Sequence, residues 1–183
     1  GWGRNNRGQL GDNSATDRSS PVSVIGGHSF ASVICAYNGV SAIKSDLSLW
    51  SWGRNNDGQL GDNSTTYRSS PVSVVGQFRF SAVGAGSRHR LAIVDTFIGP
   101  TGPAGLDGVF VTAWEWGYNE FGRLGDNTTN SRSSPVRVVG PMQWQDISAG
   151  ERSSLGLDFN RNAWGWGGNI YGQLGNNLSG GGT

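Results

Sequence analysis

Trp52-Gly53-Arg54-Asn55-Asn56-Asp57-Gly58-Gln59-Leu60-Gly61-Asp62-Asn63 decides how this chain folds. The same block stands almost unchanged from Trp2 to Asn13, returns from Trp116 to Asn127, and reappears in weaker form from Trp166 to Asn177. The starts are 50, 64 and 50 residues apart. A second block follows each of the first three: Arg18 to Val24, Arg68 to Val74 and Arg132 to Val138, each reading Arg-Ser-Ser-Pro-Val-x-Val. A third closes each unit with a tryptophan two positions before the next Trp-Gly, at Trp50, Trp114 and Trp164. Self-similarity of this period marks a repeat architecture, in which one small unit buries its apolar face only against its neighbours.

Each block has a physical reading. Trp50-Ser51-Trp52, Trp114-Glu115-Trp116 and Trp164-Gly165-Trp166 place two indoles at i and i+2, on one face of a strand. The Gly-x-Leu-Gly-Asp-Asn piece combines residues that tolerate positive φ with side chains that bond their own backbone, so it reads as a tight loop pinned by its leucine. Ser-Pro-Val-x-Val puts proline at a strand start, where its missing N–H is tolerated. Phe80 to Gly86 and Leu91 to Val94 are two further β-prone runs. Four short strands per unit and no helical periodicity predict an all-β chain of four-stranded antiparallel propeller blades. About three and a half repeats are present, in a single domain over 1–183: repeats 1–51, 52–115 and 116–165, and a partial one at 166–183.

These blocks, with the Gly86-Ser87-Arg88-His89-Arg90-Leu91-Ala92-Ile93 run, resemble the regulator of chromosome condensation repeat family over essentially the whole chain. The resemblance implies a β-propeller whose complete ring has seven blades. The repeats present amount to about half a ring, so the chain is read as belonging to a longer one, or as the ordered part of one. A plant photoreceptor branch of the family carries a Gly-Trp-Arg-His-Thr motif; Gly86 to Arg90 lacks its tryptophan, and light sensing is not implied.

Composition narrows the function classes. Glycine supplies 31 of 183 residues, and the turns of the repeat account for the excess. Fourteen basic against 13 acidic residues leave a net charge of +1, and Lys44 is the single lysine, so no strong field draws the chain to nucleic acid or anionic lipid. No apolar run approaches the roughly 20 residues that span a bilayer, and a soluble protein is expected. The chain opens on Gly1-Trp2-Gly3 without an apolar h-region, so no signal peptide is expected at this start. Cys35 is the one cysteine, which excludes an internal disulfide and a cysteine-rich metal site.

Candidate chemical groups mostly read as scaffold. Seven of the eight tryptophans, Trp52, Trp116 and Trp166 among them, sit in the repeated setting and are expected to pack between blades; Trp144 stands outside it. Asp12 with Arg18, Asp62 with Arg68, and Asp126 with Arg132 share one spacing and read as loop-bracing ion pairs. One carboxylate per loop falls short of the six to eight oxygens of a calcium site. Ser87, His89 and Asp95 match a catalytic triad by type alone, with no nucleophile elbow around them. His89 is expected as a satisfied strand-end histidine, His28 as a solvated turn residue, and Cys35 as a small buried apolar group. Phosphate-cradling glycine loops are absent, and no catalytic, cofactor-binding or metal-binding residue and no cofactor is expected. The Asn-x-Ser/Thr triplets at Asn63, Asn127 and Asn177 read as parts of the repeat loop.

The one non-repeating feature is an insertion of 14 residues within 94–113, because 21 positions separate Ile93 from Trp114 where seven separate Ile43 from Trp50. It holds three collagen-like Gly-x-y triplets from Gly99, flanked by Phe97-Ile98 and Val109-Phe110-Val111, and reads as a hairpin with an extended tip. Phe97, Ile98, Pro100, Pro103, Leu106 and Phe110 are its candidate partner-binding residues. The family's founding member engages a small GTPase through an inserted hairpin, but no residue motif here matches it. The function expected is a non-catalytic interaction or structural module that binds a protein partner or assembles with itself into a larger assembly. Its composition fits an extracellular or virion surface, and the alternative is an exchange factor or chromatin-associated propeller of the founding type. Neither a nucleic-acid signal nor a membrane signal is present.

Overall fold

The computed structural model describes residues 1–98, 108–140 and 143–179. Eleven strands and no helix occur among them: β1 Phe30–Ala36, β2 Gly39–Lys44, β3 Leu49–Gly53, β4 Arg68–Ser73, β5 Phe80–Ala85, β6 His89–Ile98, β7 Gly108–Gly117, β8 Arg132–Arg137, β9 Trp144–Ala149, β10 Ser153–Asp158 and β11 Ala163–Gly167. They form antiparallel meanders in the order β1-β2-β3-β4 and β5-β6-β7-β8, and a three-stranded sheet of β9, β10 and β11. At the N-terminus Gly3 bridges Arg18, the outer edge of a further blade. The sheets stack as propeller blades, with β5 against β1 and β2, and β9 against β5, β6 and β7.

The third and fourth strands of a blade flank the Trp-Gly loop, so Gly53 of β3 pairs with Arg68 of β4, and Gly117 of β7 with Arg132 of β8. The structural blade is therefore offset by one strand from the sequence repeat: the block from Trp52 contributes β4 to one blade and β5, β6 and β7 to the next.

Three apolar clusters lie between successive sheets. Val40, Ala42 and Trp52 pack with Val24 and Phe30. Ile43, Leu49, Val74, Phe80, Ala92, Val94 and Trp116 join the first and second complete sheets. Leu91, Ile93, Ala113, Val138 and Trp144 join the second and third, with Trp166 against them. Alternation along the strands produces this, since residues two apart share a face and the sheet of β5 to β8 is covered on both sides. Trp144, outside the repeat pattern, is 3% exposed and takes the place that Phe30 and Phe80 hold at the start of their sheets. Position in the stack decides the fate of the others: Trp52 and Trp116 are buried, whereas Trp2 (68%) and Trp164 (43%) are exposed at the two ends and depart from the expected core packing.

Two other expectations are corrected. Cys35 is exposed, because it lies with Val33 on the uncovered part of β1, the first strand of the first complete sheet. His28 is half-buried rather than solvated, its ring 4.4 Å from that of Trp50 and 5.4 Å from that of Phe30.

Candidate functional site

The repeat loops are built on an asparagine that sequence inspection passed over, three residues after each Trp of Trp-Gly. The buried amide of Asn55 donates to Asp62 Oδ1 (3.0 Å), Ser64 O (3.0 Å) and Thr66 O (3.1 Å), while its oxygen accepts the N–H of Leu60 at 2.9 Å. Asn5 and Asn119 repeat the set, and Asn169 keeps most of it with Asn176 in place of the aspartate. One planar amide thus satisfies a whole turn of backbone that no ladder reaches. Four occurrences of Trp-Gly-x-Asn were the available signal.

The aspartate of each loop bonds forward to its arginine: Asp12 to Arg18 at 2.8 Å, Asp62 to Arg68 at 2.8 Å and Asp126 to Arg132 at 3.0 Å. Hydrogen bonds from Ser14, and then from Arg18 and Asn5, outweigh desolvation and hold Asp12 down to about 2. Desolvation raises Asp62 and Asp126, but hydrogen bonds from Ser64 or Thr128 and from the arginines leave both below the usual carboxylate value. Half-exposed arginines make these pairs braces of geometry more than sources of stability.

The first two loops also clasp the next blade. Trp52 Nε1 donates to Gln9 O and Trp116 Nε1 to Gln59 O, both at 3.1 Å, and the N–H groups of Asn13 and Asn63 donate to Ser69 O (2.8 Å) and Ser133 O (2.9 Å). Gly58, at φ +79°, shows why glycine is required, since a Cβ there would stand 2.5 Å from Ser133 Cα.

At one end of the stack, side chains alternate in a ladder. Asp57 holds Arg88 by two hydrogen bonds of 2.9 and 2.6 Å. The Arg88 guanidinium lies 3.6 Å from the Tyr118 ring centre, Arg123 lies 5.0 Å from Tyr118 and 5.7 Å from Phe121, and Arg152 lies 5.9 Å from Phe121. Beside it opens a cavity of about 650 Å³ lined by Tyr37, Arg54, Ser87, Arg88 and Glu151 among others.

The triad reading is not realised. Asp95 accepts from Ser81 at 3.0 Å, and His89 turns to Ser154 at 3.1 Å, inside the interface between the second and third sheets. Glu115, Arg123, Ser154 and Trp166 join it there, and His89 Nδ1 and Arg123 Nε find no partner, so His89 is only half satisfied. Among the described residues, no group of three or more His, Cys, Asp or Glu is placed to hold a metal.

For the insertion, β6 and β7 pair from His89↔Gly117 out to Ile98↔Gly108, which sets Phe97 opposite Val109 and Thr96 opposite Phe110. Pro100, Pro103 and Leu106, with the collagen-like triplets, lie outside the described residues.

Antiparallel four-stranded sheets stacked face to face, each clasped by the Trp-Gly loop of the repeat before it, define a β-propeller repeat protein. The chain belongs to the Regulator of chromosome condensation (RCC1) repeat family, whose model matches residues 1–43, 48–93 and 112–157, while a second model of the same description matches 144–173. Solved structures agree on the fold. Human WBSCR16 superposes with a TM-score of 0.76 over 98% of this chain at 19% identity, and Prp20p from Saccharomyces cerevisiae with 0.75 over 100% at 18%. The latter structure is described together with its binding properties to Gsp1p and histones. Yeast RCC1 (Prp20) bound to Kap60 gives 0.68 over 91% at 18%. The chain spans 44% of the length of each of the first two and 38% of the third. No curated protein sequence matches it.

Proposed function

We propose that this chain is a non-catalytic protein-interaction module whose partner contacts come from its loops and, above all, from the hairpin of β6 and β7. The observation that carries this reading is the length of that hairpin. The β2–β3 ladder ends at Ile43↔Leu49 and the β10–β11 ladder at Leu157↔Ala163. In the second sheet the equivalent pair is Ile93↔Ala113, and pairing continues through Val94↔Thr112, Asp95↔Val111, Thr96↔Phe110, Phe97↔Val109 and Ile98↔Gly108. At about 3.3 Å per residue, this carries the strands roughly 16 Å past the end of the other ladders. The extension is rich in Val, Phe and Ile, more than a surface turn needs. Phe97, Ile98, Pro100, Pro103, Leu106 and Phe110 are the contact residues assigned to it. A partner protein, or a further copy of the chain in a larger assembly, is the binding target, and an extracellular or virion surface is the setting that the Lys-poor, Gly/Ser/Asn-rich composition fits.

A second reading, an exchange factor or chromatin-associated propeller, draws on the fold likeness to Prp20p. Replacing residues 99–108 by Asn-Gly tests both. Parent and variant are compared for urea unfolding, light scattering, calorimetric binding of purified histones and of a small GTPase, and GDP release from that GTPase. Unchanged unfolding with lost assembly or lost binding supports the hairpin reading. Accelerated GDP release or histone binding that survives the deletion favours the second. Identical behaviour of parent and variant in every assay, without either activity, overturns the hairpin as a functional element.

A further inference from the structure

The position between the two tryptophans of Trp-x-Trp-Gly is Ser51 in the first complete sheet and Gly165 in the third, but Glu115 in the second. Glu115 is fully buried, as are Ser154 of β10 and His89 of β6, and the three meet where the second and third sheets pack. Glu115 Oε1 accepts the Trp166 indole N–H at 2.8 Å. Ser154 Oγ stands 3.0 Å from Glu115 Oε2, 3.0 Å from Arg123 O and 3.1 Å from His89 Nε2. The first two blades lack this arrangement: there the indole N–H goes to a loop carbonyl, Gln9 O or Gln59 O. Arg123 O is the equivalent carbonyl in the third, and Ser154 occupies it.

Counting protons decides the charge state. A serine hydroxyl has one proton to give and two lone pairs to receive. Arg123 O can only accept, and an ionised Glu115 would also only accept. The one Ser154 proton could then serve a single one of these two oxygens and would leave the other facing Ser154 Oγ across 3.0 Å with no proton between them. A neutral Glu115 that donates its O–H to Ser154, with His89 donating from Nε2–H, satisfies all three contacts. That tautomer leaves His89 Nδ1 as a bare acceptor, the atom that has no partner. It lies against Gly86, where a Cβ would come within 2.6 Å of it, so no donor can approach from that side.

We infer that the junction of the second and third sheets is a proton-linked clamp: neutral Glu115 ties Trp166 and, through Ser154, the third sheet to the second, and loss of its proton releases the third sheet first. The titratable and charged groups around it are few. His89 faces it from β6 with Nε2 4.0 Å from Oε2, Arg123 and Asp126 from the loop after β7, and Ser154 and Trp166 without charge from β10 and β11. Burial, the largest influence, raises the Glu115 carboxyl well above the ordinary 4.5, against the lowering hydrogen bonds of Ser154 and Trp166. Burial also lowers His89 to about 3, which keeps its ring neutral.

The signs follow from linkage. A raised folded-state value for Glu115 gives stability that is complete below about 4.5 and is lost as pH rises toward the folded value. A depressed value for His89 gives stability present above about 6.5 and lost as pH falls toward 3. The two slopes oppose each other between those ordinary values, so the Glu115 effect stands alone above about pH 6.5.

The test uses the whole chain, in which Glu115 is one of only three glutamates, so its side-chain carboxyl is resolvable by carbon-13 NMR. The expected result is a Glu115 carboxyl that titrates well above the ordinary 4.5. Above pH 6.5, opening constants from hydrogen exchange at the Trp166 indole and the β10 amides, corrected for intrinsic base catalysis, should rise about tenfold per pH unit until the carboxyl titrates. Amides of β1, β2 and β3 should lack this slope. Glu115→Gln keeps a neutral donor and acceptor in place and should abolish the slope. A carboxyl titrating near 4.5 in the unmodified protein overturns the clamp even if the variant fails to fold, and so does a slope that survives Glu115→Gln.

Discussion

Replacing Trp116 by alanine empties the centre of the interface between the first and second complete sheets. The indole has no exposed surface, meets the Phe80 ring edge-on at 6.3 Å, packs within the Ile43, Leu49, Val74, Ala92 and Val94 cluster, and donates its N–H to Gln59 O at 3.1 Å. Truncating a large core aromatic costs about 3–5 kcal/mol, and stranding a buried carbonyl adds about 1–3 kcal/mol. Partial relaxation of the Gly61 loop, where a Cβ would stand 2.7 Å from the indole nitrogen, offsets part of that sum. The expected loss is about 4–6 kcal/mol, a large share of the roughly 5–15 kcal/mol that holds a domain together. Urea titration followed by far-ultraviolet circular dichroism measures it. Trp2→Ala serves as the control, since that indole is 68% exposed and should change stability by less than about 0.5 kcal/mol. A loss below about 1 kcal/mol for Trp116→Ala, with an unchanged denaturant slope, would refute the assignment of these indoles to blade packing.

Asn119→Ala should cost about 2–4 kcal/mol, because one amide meets Asp126, Thr128 O, Asn130 O and the Leu124 N–H, and should speed amide exchange across the 119–130 loop; exchange rates equal to those of the parent would contradict the staple role. Acid should unfold the chain in step with its loop aspartates. Since Asp12, Asp62 and Asp126 are all depressed in the fold, their contribution is present above the ordinary 3.8 and fades as pH falls toward their folded values. Asp62→Asn should flatten the fall in thermal midpoint between about pH 4 and 2, and a variant that tracks the parent through that range would show that these pairs do not set the acid limit.

Much of the architecture is written locally. Trp50-Ser51-Trp52 and Ser70-Pro71-Val72-Ser73-Val74 declare strands because side-chain alternation and proline placement are properties of a few consecutive residues, and the recurrence of such blocks declares the propeller. The role of Asn55 was equally present in the sequence, in Trp-Gly-x-Asn, yet it becomes legible only when the loop closes and its amide meets backbone groups 9 and 11 residues away. Cys35 is exposed despite its apolar neighbours, since burial depends on what packs against a strand and not on what adjoins it in the chain. The hairpin's flanking runs announce themselves, and pairing out to Ile98↔Gly108 gives them their reach. Glu115, Ser154 and His89 lie furthest from local reading: Glu115 is 39 residues from Ser154, and His89 is 65. No spacing rule connects them, because their meeting depends on how the second and third sheets stack, and the low-dielectric interface that stacking creates is what turns an ordinary carboxyl into a proton-holding one.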